Sequence, residues 1–216
     1  MSNSSKIPSP VYLYRLIHID NLEFILAEQE LRCANHPDKD PNYTGIGDSN
    51  LIKKRGTKNI PLSPGGTFKD YVAFYFGPRS PMLYEIKNGY NGVKKRNQQE
   101  IIYLVTSVKT VKKYNCDFVF YDGHAYNILS NCYNDMQDLE NIDWQTIKAK
   151  SWYNREGDMD KKRRKQAEFL IHKSFPWSAI KGICTVNNSA KQKVEQILQS
   201  KNISRKVIVK KTFYYL

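Results

Sequence analysis

Glu100-Ile101-Ile102-Tyr103-Leu104-Val105-Thr106-Ser107 is a run of β-branched, apolar and aromatic residues closed by two hydroxyls, and it predicts a strand. Val108 to Tyr114 reads as a helix behind it, and Phe118 to Tyr121 as the next short strand. That helix is too short for a regular parallel crossover, which needs a dozen or more residues. The pattern repeats on either side. Val11–Ile19, Tyr71–Phe76, Ala167–Ile171, Gly182–Val186 and Val207–Lys211 read as strands. Asn21–Glu30 reads as a helix capped by Asp20, with Leu22, Ile25 and Leu26 on one face. Met82–Asn88, Tyr126–Asn134, Trp144–Ser151 and Ala190–Lys201 read as further helices. No internal repeat, Gly-x-Gly-x-x-Gly turn or Walker loop is present. The expectation is an α+β fold whose central sheet is mainly antiparallel, not a doubly wound sheet.

The chain has 216 residues, with 40% hydrophobic content, enough for one sizeable core. Residues 11–216 are expected to form a single domain. Residues 1–10 are polar and read as a flexible arm, with no apolar segment of the kind a signal peptide needs. No apolar run is long enough to cross a bilayer. Cys33, Cys116, Cys132 and Cys184 are spaced too irregularly for a zinc site or a disulfide framework, which suits a cytoplasmic protein. The formal net charge of +13 points to a polyanionic partner, nucleic acid being the commonest, and with no spanning segment no membrane role is expected. Two dense basic segments stand out, Lys94-Lys95-Arg96 and Lys161-Lys162-Arg163-Arg164-Lys165.

The four histidines (His18, His36, His124 and His172) fit no metal-binding spacing, so no metal is expected. No serine-hydrolase elbow is present. Gln166-Ala167-Glu168-Phe169-Leu170 is more informative. On a strand, Ala167, Phe169 and Ile171 share one face, and Gln166, Glu168, Leu170 and His172 the other. Glu168 then fits two descriptions: a surface acid paired with the basic run before it, the commoner arrangement, or an acid aimed into a site. Arg55 faces the same choice between a solvated helical turn, Lys53 to Arg55, and a planar fork clamping a phosphate or carboxylate.

A set of segments in order along the chain decides between these descriptions. They are Tyr14-Arg15-Leu16-Ile17-His18-Ile19-Asp20-Asn21-Leu22, Lys54-Arg55, Gly65-Gly66-Thr67-Phe68-Lys69-Asp70-Tyr71-Val72, Phe74-Tyr75-Phe76-Gly77-Pro78-Arg79-Ser80-Pro81-Met82-Leu83, Phe118-Val119-Phe120-Tyr121-Asp122-Gly123-His124 and Gln166-Ala167-Glu168-Phe169-Leu170. Together they resemble the DarT family, the DNA ADP-ribosyltransferase toxins of bacterial toxin–antitoxin systems.

The resemblance implies an ADP-ribosyltransferase core similar to that of the poly-ADP-ribose polymerases, with a central mixed, mainly antiparallel sheet flanked by helices. It implies NAD as co-substrate, held at Tyr14, Arg15 and Leu16 largely through their backbone, with Glu23, Leu31 and Arg55 also at the pocket. The loop from about Lys39 to Thr57 would fold over it. Arg55 and Glu168 match the family's catalytic arginine and glutamate. The stretch from His124 to Glu168 would recognise the acceptor, a thymidine base of single-stranded DNA in the nearest branch of the family. Tyr71, Arg79, His124, Trp152, Tyr153, Lys162 and Arg163 are the candidate DNA contacts, with core packing an equal description of Tyr71 and Trp152. A macrodomain antitoxin of the DarG kind is the implied partner, and the expected enzyme is a monomer. Two other readings stay open: the same fold acting on guanosine, RNA or protein, and a non-catalytic nucleic-acid-binding module.

Overall fold

The strand at Ile101–Ser107 (β4) pairs antiparallel along its whole length with β1, Tyr12–His18, from Tyr12↔Ser107 to His18↔Ile101. Around this ribbon the computed structural model describes residues 6–215. Residues 1–5 of the expected arm and Leu216 lie outside them, and residues 6–10 carry neither helix nor strand. The remaining strands are β2 (Glu30–Arg32), β3 (Tyr71–Tyr75), β5 (Phe118–Tyr121), β6 (Cys132–Tyr133), β7 (Glu168–His172), β8 (Ser174–Pro176), β9 (Gly182–Thr185) and β10 (Val207–Val209). The helices are α1 (Asn21–Glu28), α2 (Ser49–Arg55), α3 (Pro81–Asn88), α4 (Val108–Lys113), α5 (Trp144–Lys148), α6 (Lys161–Arg164) and α7 (Asn188–Ser200).

Eight strands form one sheet in the order β10-β9-β4-β1-β3-β7-β5-β6, and β2 pairs with β8 in a separate ribbon. Among the described residues β10 and β9 run parallel and every other paired couple is antiparallel. The fold is therefore α+β with a mixed, mainly antiparallel sheet, as the sequence predicts. Among the described residues no helix is long and apolar enough to cross a membrane.

The two sheet faces are covered differently. Val72, Phe74, Phe120, Phe169 and Ile171 point to one face and join Leu22 and Leu26 of α1 and Val194 and Leu198 of α7 in the main core. The opposite face is covered in two separate patches. Leu16, Tyr103 and Cys184 pack under Leu83 and Ile86 of α3 and under Tyr214 and Tyr215. Tyr71, Val119, Tyr121 and Leu170 pack under Ile60 and Phe68. The gap between these patches is where the site lies.

Three expectations need correction. Tyr126–Asn134 is not helical: Asn127 Oδ1 accepts from the Leu129 amide and Asp122 Oδ1 from the Asn131 amide, local bonds that compete with a helix. Ile128 and Leu129 are exposed, so the segment has no apolar face to bury, and it ends in β6. The helix at Trp144 stops at Lys148 because Lys165 Nζ takes the carbonyls of Ile147 and Ala149 at 2.6 and 2.7 Å. The Asp20 side chain makes no capping bond to α1.

Candidate active site

One transverse row organises the site. Tyr14 of β1 pairs with Tyr75 of β3, Tyr75 with Glu168 of β7, and Glu168 with Tyr121 of β5. Directly opposed residues in antiparallel strands send their side chains to the same face, so Glu168 belongs to the face that is covered in two patches. Tyr14↔Tyr75 is also the one register pair joining β1 to β3, whereas β1 pairs with β4 over seven residues. Beyond it the two strands diverge, leaving the β3-facing edge of Arg15, Leu16 and Ile17 open. A backbone edge without a ladder partner is a ready hydrogen-bonding surface for a ligand. The Arg15 side chain turns to Ala73 O at 2.8 Å and fixes the split from inside.

A cleft of about 490 Å³ opens there, lined by Arg15, Leu16 and Ile17 on one wall and by Arg55, His124 and Glu168 on the other. That volume suits a small-molecule site. The long loop before α2 contributes Lys39, Tyr43, Gly45 and Ile46 to the lining, and β2 contributes Leu31.

Arg55 reaches the cleft because of how α2 is built. Asp48 caps it by accepting from the amides of Asn50 and Leu51 at 2.8 and 3.1 Å. Its last turn carries Lys53, Lys54 and Arg55, which suits the negative end of the helix. Lys53 and Lys54 point to solvent, but Arg55 turns inward, its side chain 16% exposed. Its guanidinium lies 4.9 Å from the Phe68 ring, a cation–π contact, and Phe68 stacks on Tyr121. Phe68 is delivered by Gly65-Gly66, both at positive φ (80° and 78°), a turn that disfavours any residue with a Cβ.

Arg55 Nη2 donates to Glu168 Oε2 at 2.6 Å, across 113 residues of sequence. Glu168 Oε1 accepts from the Ala125 amide at 3.2 Å. The Glu168 side chain is 2% exposed. It is therefore not the surface partner of the basic run, the arrangement that pattern alone favours. Burial works against the Arg55 charge, but the Glu168 carboxylate outweighs it and holds the guanidinium above its ordinary pKa. Burial, and then Glu168, push the Tyr75 hydroxyl well above the ordinary tyrosine value. Burial lowers His124 below the usual imidazole range; Glu168 pulls the other way, and Arg55, Lys162 and Lys58 add to the lowering.

The other predicted site residues divide. Leu16, Leu31, Arg15, Tyr71 and His124 line the cleft. Tyr14 lies at the head of the split, with its ring edge-on to Tyr103 and Phe213. Glu23 is exposed and outside the lining; its neighbour Phe24 is inside, because α1 turns Glu23 to solvent. Tyr71 and Trp152 are buried, each 5% exposed, with their polar atoms bonded internally, Tyr71 Oη to Gly65 O and Trp152 Nε1 to Tyr215 Oη. Of the two, Tyr71 reaches the cleft wall and Trp152 lies outside the lining. Arg79 donates to Tyr214 O and stacks on Tyr215, so it ties down the C-terminal tyrosines. Arg163 is bonded to Asp122, Asp160 and Ser130 and packs against Gly123, whose absent Cβ leaves it room. Lys165, in the same basic run, is 4% exposed and points inward. Tyr153 is 53% exposed, and Lys162 lies over the Trp152 ring at 5.5 Å. Phe68, Tyr75 and the Ala125 amide are site groups that the sequence does not single out. Strand register could have found Tyr75, but only the folded turn places the other two.

Among the described residues no group of three or more His, Cys, Asp or Glu side chains is gathered as metal ligands would be. All four cysteines are free thiols.

Comparison with known proteins gives concordant matches. A family model described as "ssDNA thymidine ADP-ribosyltransferase, DarT" matches residues 14–215. A DNA ADP-ribosyl transferase of Escherichia coli is 35% identical over 213 residues, covering 99% of this chain and 97% of the relative. A fusion of DNA ADP-ribosyl transferase and DNA ADP-ribosyl glycohydrolase from Thermosipho africanus is 27% identical over 207 residues, covering 94% of this chain and 49% of the fusion. Among solved structures, Thermus sp. 2.9 DarT in complex with ADP-ribosylated ssDNA superimposes with a TM-score of 0.91 at 33% identity, covering 98% of this chain and 99% of that one. The same Thermus protein in complex with NAD+ gives a TM-score of 0.87 at 33% identity, covering 97% of this chain and 100% of that one.

Proposed function

The chain belongs to the DarT family, and from that premise we propose that it transfers ADP-ribose from NAD+ to a thymidine base of single-stranded DNA as the toxin of a toxin–antitoxin pair. The enzyme class, an NAD-dependent DNA ADP-ribosyltransferase, rests on the family and on its NAD+-bound neighbour. The observation that carries the chemistry is the buried Arg55–Glu168 pair on the wall of the cleft where β1 and β3 part.

In this reading the open edge of β1 at Arg15 and Leu16 holds the nicotinamide amide by backbone hydrogen bonds. Glu168 bonds the hydroxyls of the nicotinamide ribose and stabilises positive charge as the C1′–nitrogen bond breaks. The bonding pair leaves with nicotinamide and neutralises its ring. The thymine ring nitrogen then bonds to C1′, and its proton passes to Glu168 and on to water. Arg55 uses one nitrogen on Glu168, so its remaining donors are available to a diphosphate or to the acceptor oxygen. A cation there makes the thymine N–H easier to deprotonate. His124, disfavoured as a cation by burial, serves as a neutral hydrogen-bonding group beside the acceptor.

The segment from His124 to Glu168 holds the acceptor, with Tyr153 and Lys162 as its DNA contacts. The partner is a macrodomain glycohydrolase that removes the modification; the Thermosipho africanus fusion, which joins the two activities in one chain, supports it. The buried ion pair beside a cleft favours this reading over a non-catalytic DNA-binding module, because such a pair contributes little net stability that would otherwise account for it.

The test is a pool of random single-stranded oligonucleotides incubated with NAD+, with the modified base mapped by sequencing and mass spectrometry. ADP-ribose on thymidine, abolished in Glu168→Ala, is the expected result. Adducts on guanosine, RNA or protein alone would overturn the acceptor. NAD+ left intact with every acceptor would overturn the reaction.

A further inference from the structure

Tyr90 is 51% exposed on the loop after α3, and Tyr153 is 53% exposed on the stretch between α5 and α6. The two lie far apart in sequence, yet both flank Tyr84 of α3, with ring centroids 5.9 and 6.4 Å from it. Beneath them Tyr84 meets Trp152 and Tyr215 edge-on, and Tyr153 stacks on Trp152 at 4.3 Å. Two exposed rings thus stand beside half-buried Tyr84, on a base of buried Trp152 and Tyr215 that holds them in place.

Cations edge this platform at both ends. Lys162 lies over Trp152, and its charge also reaches His124 in the cleft. At the other end Lys94 and Lys95 are exposed, and neither joins an ion pair among the described residues. The loop that carries them is tied to the cleft rim twice. Asn91 donates to Glu85, which lines the cleft, and Arg96 donates to the Gly45 carbonyl, also in the lining. The platform therefore runs along the cleft rim, from Lys162 near His124 to the loop held at Glu85 and Gly45.

We propose that Tyr153, Tyr84, Tyr90 and the Lys94–Lys95 loop form a track that binds the nucleotides flanking the acceptor base in single-stranded DNA. It rests on the reading that DNA is the acceptor and adds the path of the strand outside the cleft. Exposed aromatic rings stack on bases without regard to sequence, and neighbouring lysines neutralise backbone phosphates. The cleft selects the modified base, and the track supplies affinity that grows with strand length.

The experiment compares a short oligonucleotide, holding the acceptor and one neighbour on each side, with a long one extended on both sides. For the unaltered enzyme the long strand gives the lower KM. Tyr90→Ala is expected to raise KM for the long strand by about tenfold, with kcat and the short-strand KM unchanged. Lys94→Gln/Lys95→Gln is expected to lower the slope of log Kd against log salt for the long strand by about 1.4, since each lysine–phosphate pair on a single strand accounts for about 0.7. A long-strand KM and salt slope that survive both changes would overturn the track. If the unaltered enzyme modifies no DNA of either length, the acceptor assignment has failed instead, and the two failures are distinguishable.

Discussion

Two arginine–carboxylate clusters meet the turn from Asp122 to Ala125, Arg163 through Asp122 and Arg55 through Glu168, which accepts from the Ala125 amide, and they are built for opposite purposes. Arg163 uses three nitrogens on four acceptors, at 2.7 Å from both Asp160 oxygens, 2.7 Å from Asp122 and 3.1 Å from Ser130. It is a rivet whose fork is filled by the protein. Arg55 donates one hydrogen bond, to Glu168, and lines a cleft with its other donors free of protein partners among the described residues. Buried charge is common to both. What separates a site from scaffold is hydrogen-bonding capacity left open toward a space large enough for a ligand.

The contrast is tested most severely at Glu168. Glu168→Gln keeps the shape and removes the charge, and kcat for ADP-ribose transfer is expected to fall by about 10²–10⁴-fold in steady-state assays. A second change acts on its partner. Arg55→Ala leaves a buried carboxylate unpaired, at a cost of about 3 kcal/mol or more. For a domain of this size that is a Tm loss of roughly 10 °C, read by calorimetry. Glu168→Gln/Arg55→Gln should recover much of it, because no charge is then stranded.

A third prediction concerns Lys165, which bonds the end of α5 and whose pKa burial lowers to about 8. The folded value lies below the unfolded one, so the unfolded chain binds more protons between about pH 8 and 10. Stability contributed by this group is lost as pH falls through that window and gained as pH rises through it. Relative to Lys165→Met, the wild-type chain should gain up to about 3 kcal/mol between about pH 7 and 10.5, measured as the difference in denaturant midpoints. The fourth is the smallest. Arg163→Ala should cost about 2 kcal/mol by removing charge-assisted bonds, and raise KM for DNA while leaving KM for NAD+ unmoved. Arg163→Lys should recover little, because an ammonium cannot fill a fork with four acceptors.

The long strands were legible in the sequence, because Ile101–Ser107 and Tyr71–Tyr75 are apolar on faces that are buried. So was the alternation that puts Glu168 on the face opposite Phe169. The three-residue ribbon β2–β8 was not, being too short for any period, nor was the loop after Gly123, where asparagines override a helical reading. The Glu168 partner was beyond local pattern: a run of cations lies just before it, and the fold chose one 113 residues away. Tyr71, Trp152, Arg79 and Arg163 have the chemistry of DNA contacts, and each also bonds within the protein, to Gly65, Tyr215, Tyr214 and Asp122 respectively. Residue type suggested them, but those internal bonds were not legible in local pattern.

The most direct test is a double-mutant cycle on the rate of ADP-ribose transfer to a thymidine-containing strand, using Arg55→Gln, Glu168→Gln and the pair. If the two act as one unit at the cleft, each single change removes most of the rate and the double variant is little worse than either. Losses that multiply, or a wild-type rate in either single variant, would contradict it.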